Sequence, residues 1–357
     1  PALTSRLATL TGRQEKTPMT TPSPNPRDNN FDAIRLAAAL AVIIGHSCPV
    51  VGYGDSPLVL GREIQGLGVN VFFSISGYLV AKSWLRQANL ARFFRNRVLR
   101  IFPALIVVTL ISVFVLGPLL TTLPLGAYFA NPETWRYLLN CILVPTYPLP
   151  GVFEANHYPS AVNGSLWTLP IEFACYIATP IVLSIPRLRR AGAVAFFAVS
   201  VAAGLFGGSV ALGAHSDGLA IVGSQTVFFA GGMIIATTLD THKPRLDVAG
   251  FALVTLVTVQ SLFASTPAVG TVAAWVVVPY VSLALGLACT PIVHRAGRFG
   301  DMSYGVYILA WPVQQVIAQF WPQPPFWANF ALVTAVTLIL AYCSWHLVEK
   351  RALALKS

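Results

Sequence analysis

Residues 31–47 read FDAIRLAAALAVIIGHS, and the fold turns on this stretch. Between Arg35 and His46 every residue is Leu, Ala, Val, Ile or Gly. A helix turns about 100° per residue, so eleven residues return the chain to nearly the same face, roughly 16 Å further along. Arg35 and His46 therefore share one stripe of a strongly apolar helix. Asp32 precedes Arg35 by three, within pairing reach. In a membrane, ionisable groups cost several kcal/mol and face a cavity or a protein interior. Two readings stay open from this stretch alone. One is a functional stripe. The other is an interfacial Arg that snorkels and a His that hydrogen-bonds a neighbouring helix.

The whole chain has the same character. Its 357 residues are 55% hydrophobic and 10% charged, with a mean hydropathy of +0.67. Soluble domains carry about 25% charged residues. The expected fold is therefore an all-α integral membrane bundle of about ten transmembrane helices. Spans are expected at about 32–50, 66–84, 103–120, 165–185, 191–213, 219–238, 248–264, 270–292, 303–321 and 327–348. Each is long enough for a hydrocarbon core near 30 Å. Pro103 reads as the start of the third, a favoured place for proline. Residues 1–30 are rich in Pro, Thr and Asn and read as a disordered tail with no apolar core of a cleavable leader. Residues 31–350 form the membrane domain, and 351–357 a basic end. The longest segment between spans, 121–164, holds an amphipathic stretch from Trp135 to Val144.

Charge sets the expected orientation. With both termini cytoplasmic, 20 of the 23 Lys and Arg fall on the inner side. Arg62 and Arg136 fall outside, and Arg35 lies in the first span. This bias follows the positive-inside rule and accounts for the net charge of +10 without nucleic acid. It places Arg35 toward the cytoplasm and His46 beyond the midplane. Five cysteines (Cys48, Cys141, Cys175, Cys289 and Cys343) show no metal spacing and read as free thiols. No zinc motif or GxSxG elbow is present, and no metal or tightly bound cofactor is expected.

Four groups remain to be weighed for chemistry. Arg92, Arg95, Arg97 and Arg100 form a cluster interleaved with Phe93, Phe94 and Phe102. It reads either as a topogenic, lipid-contacting stretch or as a phosphate site, because guanidinium binds phosphate oxygens bidentately. Glu172 is a carboxylate well inside a span, functional or else structurally paired. Trp167, Asn163 and Ser165 lie upstream of it. In helix 2, Ser74, Ser76 and Gly77 are small residues suited to close helix contact. His346 and Glu349, three apart at the end of the last span, read as a cap or a headgroup contact.

Five segments in order then resemble the acyltransferase-3 family of integral membrane acyltransferases. FDAIRLAAALAVIIGHS resembles its opening Arg–ten residues–His motif, and VFFSISGYLV its FFxxSG segment. RVLRIFP, from Arg97 to Pro103, resembles its RxxRIxP loop. NGSLWTLPIEFACYI resembles its SLWTLxxE segment and DMSYGVYILAWPVQQ its SYGxY segment. The likeness covers about residues 31–350. Two departures stand out: Asn96-Arg97 replaces a basic pair, and Ala310 stands where many members carry a His before Trp-Pro.

The resemblance implies a multi-pass protein of the bacterial inner membrane. It implies transfer of an acyl group, most often acetyl, from cytoplasmic acyl-CoA to the hydroxyl of a carbohydrate or lipid-linked sugar at the outer side. On this reading His46 is the general base, or briefly carries the acyl group. Arg35 and Asp32 orient the donor or stabilise the developing oxyanion. Arg95, Arg97 and Arg100 bind the CoA phosphates, and Glu172 and Trp167 shape the acceptor side. The rival reading is a transporter or exporter of an acyl donor or polysaccharide. Buried charges on many spans favour it; the lack of an internal repeat and of a Gly/Pro-broken helix pair opposes it.

Overall fold

The computed structural model describes residues 29–207, 216–238, 242–291 and 293–356. Most of the tail expected over 1–30 and the end of the span expected over 191–213, from residue 208, lie outside the described residues. The long helices are α1 (Phe31–Val51), α2 (Ile64–Arg86), α3 (Leu90–Leu120), α4 (Thr168–Val182) and α5 (Arg189–Phe206). They continue with α6 (Ser216–Thr238), α7 (Leu246–Leu262), α8 (Pro267–Leu287), α9 (Ser303–Phe320) and α10 (Phe326–Ala354). Among the described residues, seven helices are long and apolar enough to cross a membrane: α1, α2, α3, α5, α6, α8 and α10. Helices α4 and α7 are apolar but shorter. Among the described residues, strand is confined to a two-stranded hairpin pairing Leu58–Val59 with Arg62–Glu63. The protein is thus all-helical and multi-pass.

The apolar run after Arg35 makes α1 the central helix. It packs on α2, α8, α9 and α10. Ala39, Val42, Ile43 and Val50 on it are essentially sealed from solvent. Helix α2 crosses α6 very closely. A Cβ on Gly77 would strike the Phe229 carbonyl, and one on Gly232 would strike the Ser74 carbonyl. Gly77 and Ser74 are therefore the close contacts expected of small residues. Ser76 turns to a different neighbour.

Two boundaries differ from the sequence reading. Helix α3 begins at Leu90, so Pro103 lies inside it rather than at its start. Asn89 nucleates the earlier turn by accepting a hydrogen bond from the Arg92 N–H at 2.9 Å. The arginine cluster is therefore helical, not a loop. At the other end of the chain, α10 continues through a π-helical turn at Trp345–Glu349 to Ala354, past the expected end of the last span at 348.

The segment 121–164 folds as a compact cap. Tyr128, Tyr137, Leu149, Val152, Phe153 and Val162 are buried against Val113 of α3. Its expected amphipathic stretch is two consecutive helical turns, Pro132–Arg136 and Tyr137–Ile142, with Trp135, Ile142 and Val144 exposed. The cap covers the end of the bundle at which α1 finishes.

Candidate functional site

Two cavities lie at different depths of the bundle. The first, of about 320 Å³, is charged. Arg35 enters it from α1, Ser76 from α2, Arg97 and Arg100 from α3, and Glu172 and Tyr176 from α4. Asp301, just ahead of α9, sits at its centre of charge. Its Oδ2 accepts from Arg35 and from Arg100, both at 2.6 Å. Burial alone would raise the Asp301 carboxyl, but the Arg100 and Arg35 guanidiniums overturn this and hold it well below the usual carboxylate range. Glu349, brought round by the π-helical turn, lies 3.7 Å from Arg100 and is itself almost wholly buried.

Arg97 is the contrasting cation. It has no carboxylate within ion-pair distance among the described residues. Its polar contacts are a long hydrogen bond to Ser83 Oγ at 3.4 Å and the faces of Phe93 and Tyr176 at 5.6 and 5.7 Å. Its buried Nε has no hydrogen-bond partner among the described residues. Glu172 is held on the same wall: Ser76 Oγ donates to its Oε1 at 2.5 Å and the Tyr176 hydroxyl at 2.6 Å. An exposed lysine at the mouth, Lys356, and Leu353 complete the rim.

The second cavity is aromatic. His46, Tyr147, Tyr158, Trp167 and Trp311 line it with three prolines and Gly164. Among the lining residues His46 carries the titratable ring nitrogens. Its imidazole packs edge-on against Trp311, with centroids 4.8 Å apart at 74°. Trp311 is fixed in turn by donating to the Ala161 carbonyl at 3.0 Å. Nδ1 of His46 is shielded and has no hydrogen-bond partner among the described residues, so ring packing, not a carboxylate, orients it. Gly164 is needed here, because a Cβ would meet the Trp311 ring.

A thin wall separates the two. Trp167 faces the aromatic pocket, and the next residue, Thr168, faces the charged cavity. One turn apart on α9, Trp311 and Tyr307 divide in the same way. Thr168 Oγ1 and the Tyr307 hydroxyl share a hydrogen bond of 2.7 Å, and Tyr307 donates on to the Ser165 carbonyl at 3.0 Å.

The structure sorts the residues singled out in sequence. Arg35, Arg97, Arg100 and Glu172 converge on one cavity. His46 and Trp167 meet in the other. Glu172 therefore stands on the arginine side, apart from Trp167, because the helix start at Thr168 turns them to opposite faces of the wall. Arg35 pairs with Asp301 rather than with Asp32. Asp32 lies in the first turn of α1, where free N–H groups favour an anion, and its carboxylate is pressed against Gly297. Arg95 is exposed and Arg92 bonds Gln87 at 2.8 Å, so neither lines the cavity. Read as a helix, RFFRNRVLRI would have shown this. Phe93, Arg97, Arg100 and Ile101 follow an i, i+4, i+7, i+8 stripe, with Arg95 on the far face. Asp301, Glu349, Tyr304, Tyr307, Trp311 and Lys356 carried no comparable signal as site residues. Each lies far along the chain from the groups it faces.

Comparison with known proteins agrees with this architecture. A family model described as an acyltransferase domain matches residues 28–346. The chain belongs to this acyltransferase-3 family and is an acyltransferase of groups other than aminoacyl groups. It is 30% identical over 341 residues to an O-acetyl transferase of Shigella phage Sf6, covering 93% of this chain and 98% of that protein. It is 29% identical over 355 residues to Nodulation protein 10 of Rhizobium leguminosarum bv. viciae, covering 92% and 94% respectively. Over 159 residues, 43% of the chain and 38% of the relative, it is 28% identical to Acyltransferase MdmB of Streptomyces mycarofaciens. No solved structure matches.

Proposed function

We propose that the protein is a membrane O-acetyltransferase. It moves an acetyl group from cytoplasmic acyl-CoA to a carbohydrate or lipid-linked sugar hydroxyl on the outer side of a bacterial inner membrane. The observation that carries this is the back-to-back placement of a cationic cavity and a His46-centred aromatic pocket, separated by Thr168 and Tyr307. In this reading all ten long helices cross the bilayer and both termini are cytoplasmic. The excess of Lys and Arg on that side supports the orientation. The likeness to the O-acetyl transferase of Shigella phage Sf6 supports O-acetyl transfer.

The chemistry follows from the two linings. The donor's phosphates lie at Arg97, beside the Arg100 and Arg35 guanidiniums that Asp301 holds. The acyl thioester extends along α4 past Glu172 toward Thr168. The acceptor hydroxyl enters against Trp167 and Trp311, whose faces suit the apolar face of a sugar ring. Displacement of the Thr168 and Tyr307 side chains joins the two spaces. His46 takes the hydroxyl proton, the oxygen attacks the thioester carbonyl, the C–S bond breaks, and the proton passes from His46 to the leaving sulfur, so that CoA departs as the thiol. Arg35 lies eleven residues from His46, about 16 Å along α1. It therefore orients the donor and does not reach the oxyanion, and Asp32 supports that end of α1.

The test is acetyl-CoA turnover by the purified protein in detergent, read as free thiol, for wild type beside His46→Ala. Turnover by wild type that the variant lacks is expected. Equal turnover would remove His46 as the base. Transport that requires a sealed bilayer, with no thiol release in detergent, would favour the exporter reading.

A further inference from the structure

We infer that Lys356 is a phosphate contact of the charged cavity, and that the chain from Trp345 to Lys356 builds the mouth through which the anionic ligand enters. The inference rests on the acyl-CoA reading and extends it to a segment that the reading does not use.

Three observations carry it. First, the cations divide into two kinds. Arg35 and Arg100 are committed to Asp301, and Arg100 also to Glu349. Among the described residues, Arg97 and Lys356 have no carboxylate within ion-pair distance, and the buried Nε of Arg97 has no hydrogen-bond partner. Second, like charges share one lining. Lys356 lines the same cavity as Arg97 and Arg100, and the Asp301 carboxylate there is already shared by Arg35 and Arg100. Such a gathering of cations favours an added anion. Third, the backbone is shaped to produce it. The π-helical turn at Trp345–Glu349 puts an extra residue into the turn of α10. This re-aims the last turns so that Trp345, Leu353 and Lys356 all reach the same cavity. Two unpaired cations at one mouth fit a diphosphate or a phosphate monoester on a nucleotide. A lipid headgroup shares this chemistry.

Partial burial, reinforced by Arg97 and Arg100, lowers the Lys356 ammonium to about 8, with Asp301 opposing the shift. Arg35 and Glu172 are the other charged groups of the cavity. Lys356 thus loses its charge as pH rises through about 8, and a phosphate held by it is released over the same range.

The experiment is CoA titration by calorimetry on the full chain in neutral detergent. Wild type is compared with Lys356→Gln, Lys356→Arg and, as a control, the exposed Lys350→Gln. Lys356→Gln is expected to weaken CoA binding about tenfold, as for loss of one charge-assisted hydrogen bond. Lys356→Arg should retain most of the affinity, and Lys350→Gln all of it. From pH 7 to 9 the wild-type affinity should fall, and this slope should flatten in Lys356→Gln. Wild-type affinity in Lys356→Gln overturns the role of Lys356 alone. So does a loss of added phosphatidylglycerol binding with CoA binding intact, which makes the lysine a lipid contact. Absence of CoA binding by wild type overturns the acyl-CoA reading and this inference with it.

Discussion

The charged cavity and the His46 pocket share α1 and α9 and meet at the start of α4, yet they hold their side chains by different means. In the charged cavity, position is set by ion pairs and short hydrogen bonds: Asp301 clamps Arg35 and Arg100, and Ser76 and Tyr176 clamp Glu172. In the aromatic pocket, position is set by ring packing on Trp311 and by backbone hydrogen bonds. A cavity held by charge is costly to disturb, because removing one partner strands the others. A packed imidazole without a carboxylate strands no charge when it is removed. The difference separates residues that keep the bundle intact from the residue that would do chemistry.

The predictions press on this contrast. The largest effect is expected for His46→Ala: acetyl transfer should fall by at least about a hundredfold, as for loss of a general base. The thermal midpoint in detergent should stay close to wild type. A variant that fails to fold would instead place His46 among the structural groups.

Asp301→Asn should show the opposite pattern. It leaves Arg35 and Arg100 without their shared counter-charge and should cost about 3 kcal/mol of stability, the scale for breaking a buried pair. Thermal unfolding in detergent reads this directly. The pH dependence has a definite sign. The folded carboxyl lies below its ordinary value of 3.8, so the stabilisation is complete above that value and is lost as pH falls through the folded one. The gap between wild type and Asp301→Asn should therefore narrow in acid.

Arg97→Gln should weaken CoA binding about tenfold and leave acceptor KM unchanged, because Arg97 has no internal carboxylate to strand. Equal loss for donor and acceptor would merge the two cavities into one site. Tyr307→Phe removes the hydrogen bonds that close the wall, worth about 1 kcal/mol. It should alter kcat a few-fold without changing CoA affinity. Arg95→Gln, on the outer face of α3, should change neither CoA affinity nor turnover by more than about twofold.

Much of the fold was legible in the chain. The Arg35-to-His46 interval, the apolar runs and the sidedness of Lys and Arg pointed to a helical membrane protein, and the ordered motifs to its family. The spacing of Arg97 and Arg100 carried their shared face, once the stretch was taken as a helix and not as a loop. The pairing of Arg35 with Asp32 was the natural local reading and did not hold. Local reach allows an i, i+3 pair, but Asp301, 266 residues away, is nearer the guanidinium. Lys356 read only as part of a basic end.

The sequence by itself determined the medium, the helices and the eleven-residue separation of Arg35 from His46, because these depend on hydropathy and on helix geometry alone. Only the tertiary structure decided which charge neutralises which, that Glu172 and Trp167 face opposite sides of a wall, and that the end of α10 rims the arginine cavity. Those outcomes depend on which helices become neighbours and how each is rotated. Close packing at Gly77 and Gly232, and the π-helical turn in α10, fix that rotation through contacts far apart in the chain.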